Sequence, residues 1–305
     1  MINYVINLKD NVPFTLSCCS TVDLSREKLA ELGVSYACFH YFIDGKEYTD
    51  DLGASMSSGD FYNAMANGAD TKTSQINSAE FTEYFEALLA KGKDVLHVSL
   101  SSGLSGSYRS AFMAADELRE KYPERKIIVI DSLGASAGSG LLVALAADIR
   151  DGGSSIDEAA KWLEENKLNM HHWFFSTDLT FYVKGGRISK AAGWFGTALR
   201  ICPLLNMNHE GKLIPREKIR TKQRVIKAIV DKMVSYAEGG NAFNGKCFIS
   251  NSACLEDATA VKNLVEESIP ALAGKVEIYN IGTVIGSHTG PGTVALFFMG
   301  DKRVD

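Results

Sequence analysis

Short apolar runs of strand character alternate along this chain with stretches of helical period, and that alternation restricts the fold more than any other feature. The runs are Asp94–Leu100 (DVLHVSL), Lys126–Ile130 (KIIVI), His172–Ser176 (HWFFS), Cys247–Ser250 (CFIS) and Val276–Ile281 (VEIYNI). Between them, Phe81, Tyr84, Phe85, Leu88 and Leu89 recur at the spacing of one helix face, as do Val225, Ile226, Ile229, Val230, Met233 and Val234. Strands alternating with helices predict an α/β chain with parallel pairing. In such a sheet, ligands lie outside the carboxyl ends of the strands, so the loops there are where chemistry is sought. A length of 305 residues suggests two domains. The Gly/Ser punctuation Asp151–Ser155 (DGGSS) places their approximate boundary, giving 1–155 and 156–305, with the chain free to cross between them. No long linker separates the halves, so they are expected to pack closely.

Composition removes several functional classes. The net charge is −5, which does not favour a nucleic-acid partner or an anionic membrane surface. The start, Met1–Asp10, lacks the pattern of a signal peptide, and Leu141–Ala147 is far shorter than the ~20 residues a membrane span needs. A cytoplasmic location is therefore expected, with the six cysteines as free thiols. No CxxC or HExxH occurs, and Cys18–Cys19 and His171–His172 are adjacent pairs, so no metal is expected.

Four loops carry the chemical signal. Ser101-Ser102-Gly103-Leu104-Ser105-Gly106-Ser107-Tyr108 follows a strand and opens a helix, where free N–H groups, the helix dipole and hydroxyls together suit an anion. The bland alternative is a serine N-cap. Thr73 and Ser74, in Lys72–Ser78, lie too far upstream to cap the helix of Phe81 and are free to donate to a ligand, whereas Ser78 reads as its N-cap. Gly185-Gly186-Arg187-Ile188-Ser189 brings an arginine, whose planar fork matches a carboxylate or phosphate; its alternative is a surface salt bridge. Gly282–Gly292 holds His288 and Thr289 among four glycines, which suggests unusual backbone and makes His288 a candidate for proton or phosphate chemistry. Neither GxxxxGK[ST] nor a strand-following GxGxxG is present, so ATP or NAD binding by this chain alone is not expected.

In this order the four loops, with Asp131-Ser132 between them, resemble the DegV family of fatty-acid-binding proteins over essentially the whole chain. The resemblance implies two α/β domains: an N-terminal open, mostly parallel sheet with helices on both faces, and a second domain with a mixed or antiparallel sheet covered by helices. It also implies one long-chain fatty acid buried between them, no other cofactor and no catalysis by the chain itself. In the bacterial fatty acid kinase system such a protein presents the acyl carboxylate to a separate ATP-binding kinase subunit. Carried over residue by residue, Thr73, Ser74, Ser101, Ser102, Gly103 and Ser105 surround the carboxylate, with Gly186, Arg187, His288 and Thr289 nearby. The basic stretch of Arg216, Lys218, Arg220, Lys222 and Arg224 corresponds to a docking region for the kinase, or to an ordinary solvated face. Trp194, Phe195, Leu199 and Ile201 are candidates for an acyl tunnel, or for ordinary core. Two departures stand out. Cys18-Cys19-Ser20-Thr21 replaces the family's Asp-Ser-Thr run, and Ile76 replaces its proline after Thr73-Ser74-Gln75.

Two rival readings remain. Gly134-Ala135-Ser136-Ala137-Gly138 matches G-x-S-x-G between a strand and a helix, and His288 follows in the order a serine hydrolase requires. Against it, Asp131-Ser132-Leu133 separates the strand from the motif. The other rival is a lipid-binding regulator or transport protein without a kinase partner.

Overall fold

The computed structural model describes residues 3–189 and 201–303. The first part of the chain runs β1 (Tyr4–Val5), β2 (Thr15–Cys19), α1 (Arg26–Glu31), β3 (Val34–Ala37), β4 (His40–Ile43), β5 (Lys46–Thr49), α2 (Ser58–Ala66) and β6 (Thr71–Ser74). It continues through α3 (Ser78–Leu89), β7 (Val95–Ser99), α4 (Ser107–Lys121), β8 (Ile127–Asp131), α5 (Ser136–Asp151) and α6 (Ile156–Asn166). Then follow β9 (Met170–Phe175), α7 (Thr180–Lys184), β10 (Ile201–Met207), β11 (Leu213–Arg220) and α8 (Lys222–Tyr236). The chain closes with β12 (Cys247–Asn251), α9 (Leu255–Ser268), β13 (Glu277–Asn280), α10 (Thr283–Thr289) and β14 (Val294–Met299).

Three sheets form among the described residues. The first has the order β1-β3-β2-β7-β8, parallel except for β1 at its edge. The largest has the order β11-β10-β9-β14-β12-β13, antiparallel except for the parallel β12–β13 pair. A small antiparallel sheet, β5-β4-β6, lies beside the first. The expected mostly parallel sheet and mixed sheet are thus both present.

Side-chain alternation explains the layering of the first sheet. On β2, Leu16 and Cys18 join the core around α5 and α6, while Cys19, on the opposite face, joins the core around α3 and α4. All five residues of β2 are buried, as a central strand covered on both faces requires. Phe81, Tyr84, Phe85, Leu88 and Leu89 form the buried stripe of α3, as their spacing predicts. The cap of that helix is Asn77 rather than Ser78. Asn77 Oδ1 accepts from Glu80 N, and the Glu80 carboxylate accepts from Asn77 N. This reciprocal pair satisfies two otherwise unmet donors, so it displaces the serine by one position.

Helix α5 lies between the two large sheets, packing on β2 and also on β9, β12 and β14. Its many small residues have a steric cause. A Cβ at Gly138 would come within 2.3 Å of His172 Nε2, and one at Gly140 within 2.7 Å of Leu24 Cγ. Only a helix stripped of side-chain bulk there fits between two sheets. Beyond Asp151–Ser155, α6 turns back to cover β7 and β8. The larger sheet packs its other face on α8 and α9 through Phe175, Val225, Ile229, Val261 and Leu296.

Candidate functional site

A cavity of about 480 Å³ opens between the sheets, within the size range of small-molecule sites. Its inner wall is made of strand faces. His172 and Phe174 alternate along β9, and Ala295 and Phe297 along β14, so one face of the sheet supplies them, with Thr293 just before β14. Phe39, Leu100, Ala135 and Tyr182 complete this wall. Its polar groups are paired within the protein. Tyr182 OH and Thr293 Oγ1 are 2.9 Å apart, and Ala135 N donates to His172 Nε2 at 3.3 Å. Burial holds His172 well below the usual histidine range, so the imidazole is neutral.

The rim is made of loops. Thr73, Ser74 and Gln75 come from the end of β6, Leu104, Ser105 and Gly106 from the loop after β7, Arg187 from the turn after α7, and His288 and Thr289 from α10. Thr73 Oγ1 and His288 Nε2 are hydrogen-bonded at 2.8 Å. His288 Nδ1 is buried without a partner, against Gly185, where a Cβ would lie 2.3 Å from that nitrogen. Burial, and then the charge of Arg187, lower the His288 pKa to about 4, so it too is neutral at pH 7. Arg187 donates through Nε and Nη2 to Leu104 O, at 3.2 and 3.0 Å, and through Nη1 to Gly185 O. Among the described residues it has no carboxylate partner. Its charge is half-buried at the mouth of a cavity whose inner polar groups are already paired, a setting that attracts an anion.

Thr73, Ser74, Ser105, Arg187, His288 and Thr289 are therefore brought together on one cavity. Ser101, Ser102, Gly103 and Gly186 do not line it. Ser101 Oγ donates to Gly211 O at 2.8 Å and accepts from Gly103 N, which pins the loop to the turn before β11. Ser102 is exposed, and its amide donates to Asp131 Oδ1. A Cβ at Gly103 would come within 2.5 Å of Glu210 O, so glycine is required there for close approach. Gly186, at φ 73°, shapes the turn that carries Arg187. The segment around His288 is a short helix, α10, rather than an irregular loop. The left-handed residue that ends it is Gly290, where a Cβ would lie 2.2 Å from Phe181 Cδ2.

Of the tunnel candidates, Trp194, Phe195 and Leu199 lie outside the described residues, and Ile201 is half-buried at the start of β10, away from the cavity. Sequence reasoning missed the inner wall, because β9 and β14 are buried along nearly their whole length and carry no apolar/polar alternation that marks the cavity face. Arg216 Nε donates to Asn206 Oδ1 at 2.8 Å. Arg220, on the edge strand β11, and Arg224, on α8, are exposed and form no ion pair among the described residues. Ser136 does line the cavity, but its Oγ donates to Asp23 Oδ2 at 2.5 Å and contacts Ser250 Oγ at 3.1 Å, while His288 is engaged by Thr73. The pairing a Ser136–His288 hydrolase needs is not formed. Among the described residues no group of three or more His, Cys, Asp or Glu is disposed to hold a metal, and no helix is long and apolar enough to cross a membrane.

Residues 19–301 match the family model described as "Uncharacterised protein, DegV family". The chain belongs to the DegV family. A DegV domain-containing protein of Clostridium perfringens is 37% identical over 290 residues, covering 95% of this chain and 98% of that one. Among solved structures, the fatty-acid-binding DegV family protein of Streptococcus agalactiae superposes with a TM-score of 0.78 at 27% identity, covering 95% of this chain and 99% of that one. The Fatty Acid Kinase (Fak) B3 protein of Streptococcus pneumoniae, solved with linoleic acid, superposes with a TM-score of 0.81 at 21% identity, covering 94% and 99%. That last likeness is one of fold. The DegV fold is thus shared over about 95% of the chain.

Proposed function

We propose that this DegV protein binds one long-chain fatty acid in the inter-sheet cavity and presents its carboxylate to a separate kinase subunit in the cytoplasm. The observation that carries the reading is the guanidinium of Arg187, without a carboxylate partner among the described residues, at the mouth of a cavity whose inner polar groups are paired within the protein. A carboxylate at the rim meets Arg187 and the hydroxyls of Thr73 and Ser74, beside His288 and Thr289. These groups favour the ionised form and fix its direction, as a phosphoryl acceptor requires. The acyl chain then lies along Phe174, Ala295 and Phe297. Each methylene buried there contributes about 0.8 kcal/mol. The chain carries no nucleotide-phosphate loop, so the phosphoryl group comes from ATP on the partner: a carboxylate oxygen attacks the γ-phosphorus and ADP leaves. Arg216, Arg220 and Arg224 supply the positive face on which the partner docks.

Native mass spectrometry of the purified chain, followed by organic extraction, tests the first step. One fatty acid per chain is expected. An empty protein that also refuses added fatty acids would remove the reading.

A further inference from the structure

Two acidic side chains that the fatty-acid site does not use are buried where its parts meet. Asp23 and Asp50 are only 4% and 2% exposed, and both line a separate cavity of about 210 Å³. Each has one oxygen engaged. Ser136 Oγ donates to Asp23 Oδ2, and Thr283 Oγ1 donates to Asp50 Oδ1 at 3.0 Å. The other oxygens, Asp23 Oδ1 and Asp50 Oδ2, meet no partner at full hydrogen-bond geometry, although Gly282 N stands close to Asp23, and Ser20 Oγ and Leu52 N close to Asp50. Both carboxyl groups approach Gly282, the residue before α10. A Cβ there would lie 2.6 Å from Asp23 Oδ1 and 3.8 Å from Asp50 Oδ1.

The groups facing the pair are neutral or acidic. Asp51 follows Asp50, Tyr62 comes from α2, Cys38 and Tyr41 from the region of β4, and Tyr279 from β13. Among the described residues no Lys, Arg or His bears on either carboxyl. Two like charges buried together are strongly disfavoured without a neutralising partner. A proton fits this place better than a metal, since among the described residues no group of three or more His, Cys, Asp or Glu is disposed to hold one, Asp51 and Cys38 included.

We propose that Asp23 and Asp50 together keep one proton in the ligand-ready protein and act as positioning residues, holding the start of α10 so that His288 and Thr289 stand at the cavity rim. The link runs through named contacts: Thr283 opens α10, and Ser136 lies on the cavity wall. The backbone of Ser136 is itself left-handed at φ 53°, an unfavourable state for a residue with a side chain that its hydrogen bond to Asp23 helps to hold. Burial pushes Asp50 up to about 6 and Asp23 well above the carboxylate range. Folded values raised in this way add stability that is fully present below the ordinary carboxylate range and falls as pH rises from there until each folded value is passed, so the loss from Asp50 is complete soon above pH 6 and that from Asp23 continues beyond it. The effect on ligand rests on the fatty-acid reading; the effect on α10 does not.

Hydrogen exchange of residues 281–290 in the ligand-free full chain, from pH 6 to 9 and corrected for intrinsic exchange, tests the proposal. Protection should fall by up to about tenfold per pH unit until the last proton has left, and then level off. Asp23→Asn, neutral at every pH, should flatten the profile, with Asp50→Asn as the second variant should the first not fold. Protection in the wild type that does not change with pH would overturn the proposal. So would restoration of protection at pH 9 by Mg²⁺ or Ca²⁺, which would put a cation in the proton's place. Fatty-acid affinity titrated over the same range should decline in parallel. Should the chain bind no fatty acid at any pH, the binding reading falls, while the exchange profile still decides the proton.

Discussion

The inner wall and the rim of the cavity are built on opposite plans. The wall comes from β9 and β14, rigid strands whose alternation sets which side chains face inward, and its polar groups are paired within the protein. The rim comes from loops and from the ends of β6 and α10, and it leaves Arg187 without a carboxylate partner among the described residues and His288 Nδ1 unpartnered. A wall without unmet polar groups can be filled by hydrocarbon without desolvation penalty. A rim with an unmatched charge holds an anion. Shape is thus set by the sheet and charge by the loops.

Four substitutions probe that difference, in descending order of effect. Ala295→Trp places a large ring inside the wall. It should weaken fatty-acid binding by about 3 kcal/mol, roughly the burial of three to four methylenes, with little change in melting temperature. Titration with a fluorescent fatty acid beside a thermal melt reads both quantities, and unchanged affinity would move the acyl chain elsewhere. Arg187→Ala removes the rim charge, and a charge-assisted hydrogen bond of about 2 kcal/mol should disappear from the affinity. Acyl phosphate formation with the kinase should be lost while the fold is kept; unchanged turnover would take Arg187 out of the site. The smallest effects separate two neighbouring serines. Ser101→Ala should lower stability by about 1 kcal/mol through loss of the Gly211 contact, with affinity nearly unchanged. Ser102→Ala should stay within about 0.5 kcal/mol on both measures. A large affinity loss at either serine would return this part of the loop to the ligand.

The order of elements was readable because periodicity follows directly from burial on one or two faces. The runs at 94–100 and 126–130 became β7 and β8, and the stripe from Phe81 to Leu89 became the buried face of α3. Cap competition was less legible. Ser78 and Asn77 are adjacent, and only the return contact from Glu80 selects the asparagine. His288 among glycines reads as irregular backbone, but Gly286 and its neighbours complete a helical turn once α10 packs on α7 and β6. Among the hydroxyls of 101–105, sequence shows donors and not their targets. Ser101 is taken by Gly211, more than a hundred residues away, so its role depends on a contact that no local pattern encodes.

By itself the sequence determined the α/β alternation, the small-residue character of α5 and the set of polar loops, because each depends on neighbours close along the chain. Only the tertiary structure decided which hydroxyls reach the cavity, that Ser136 bonds Asp23 and not His288, and that Arg187 meets no carboxylate among the described residues. Those outcomes depend on which distant groups meet in the folded state. There, each buried donor takes the partner that geometry brings to it.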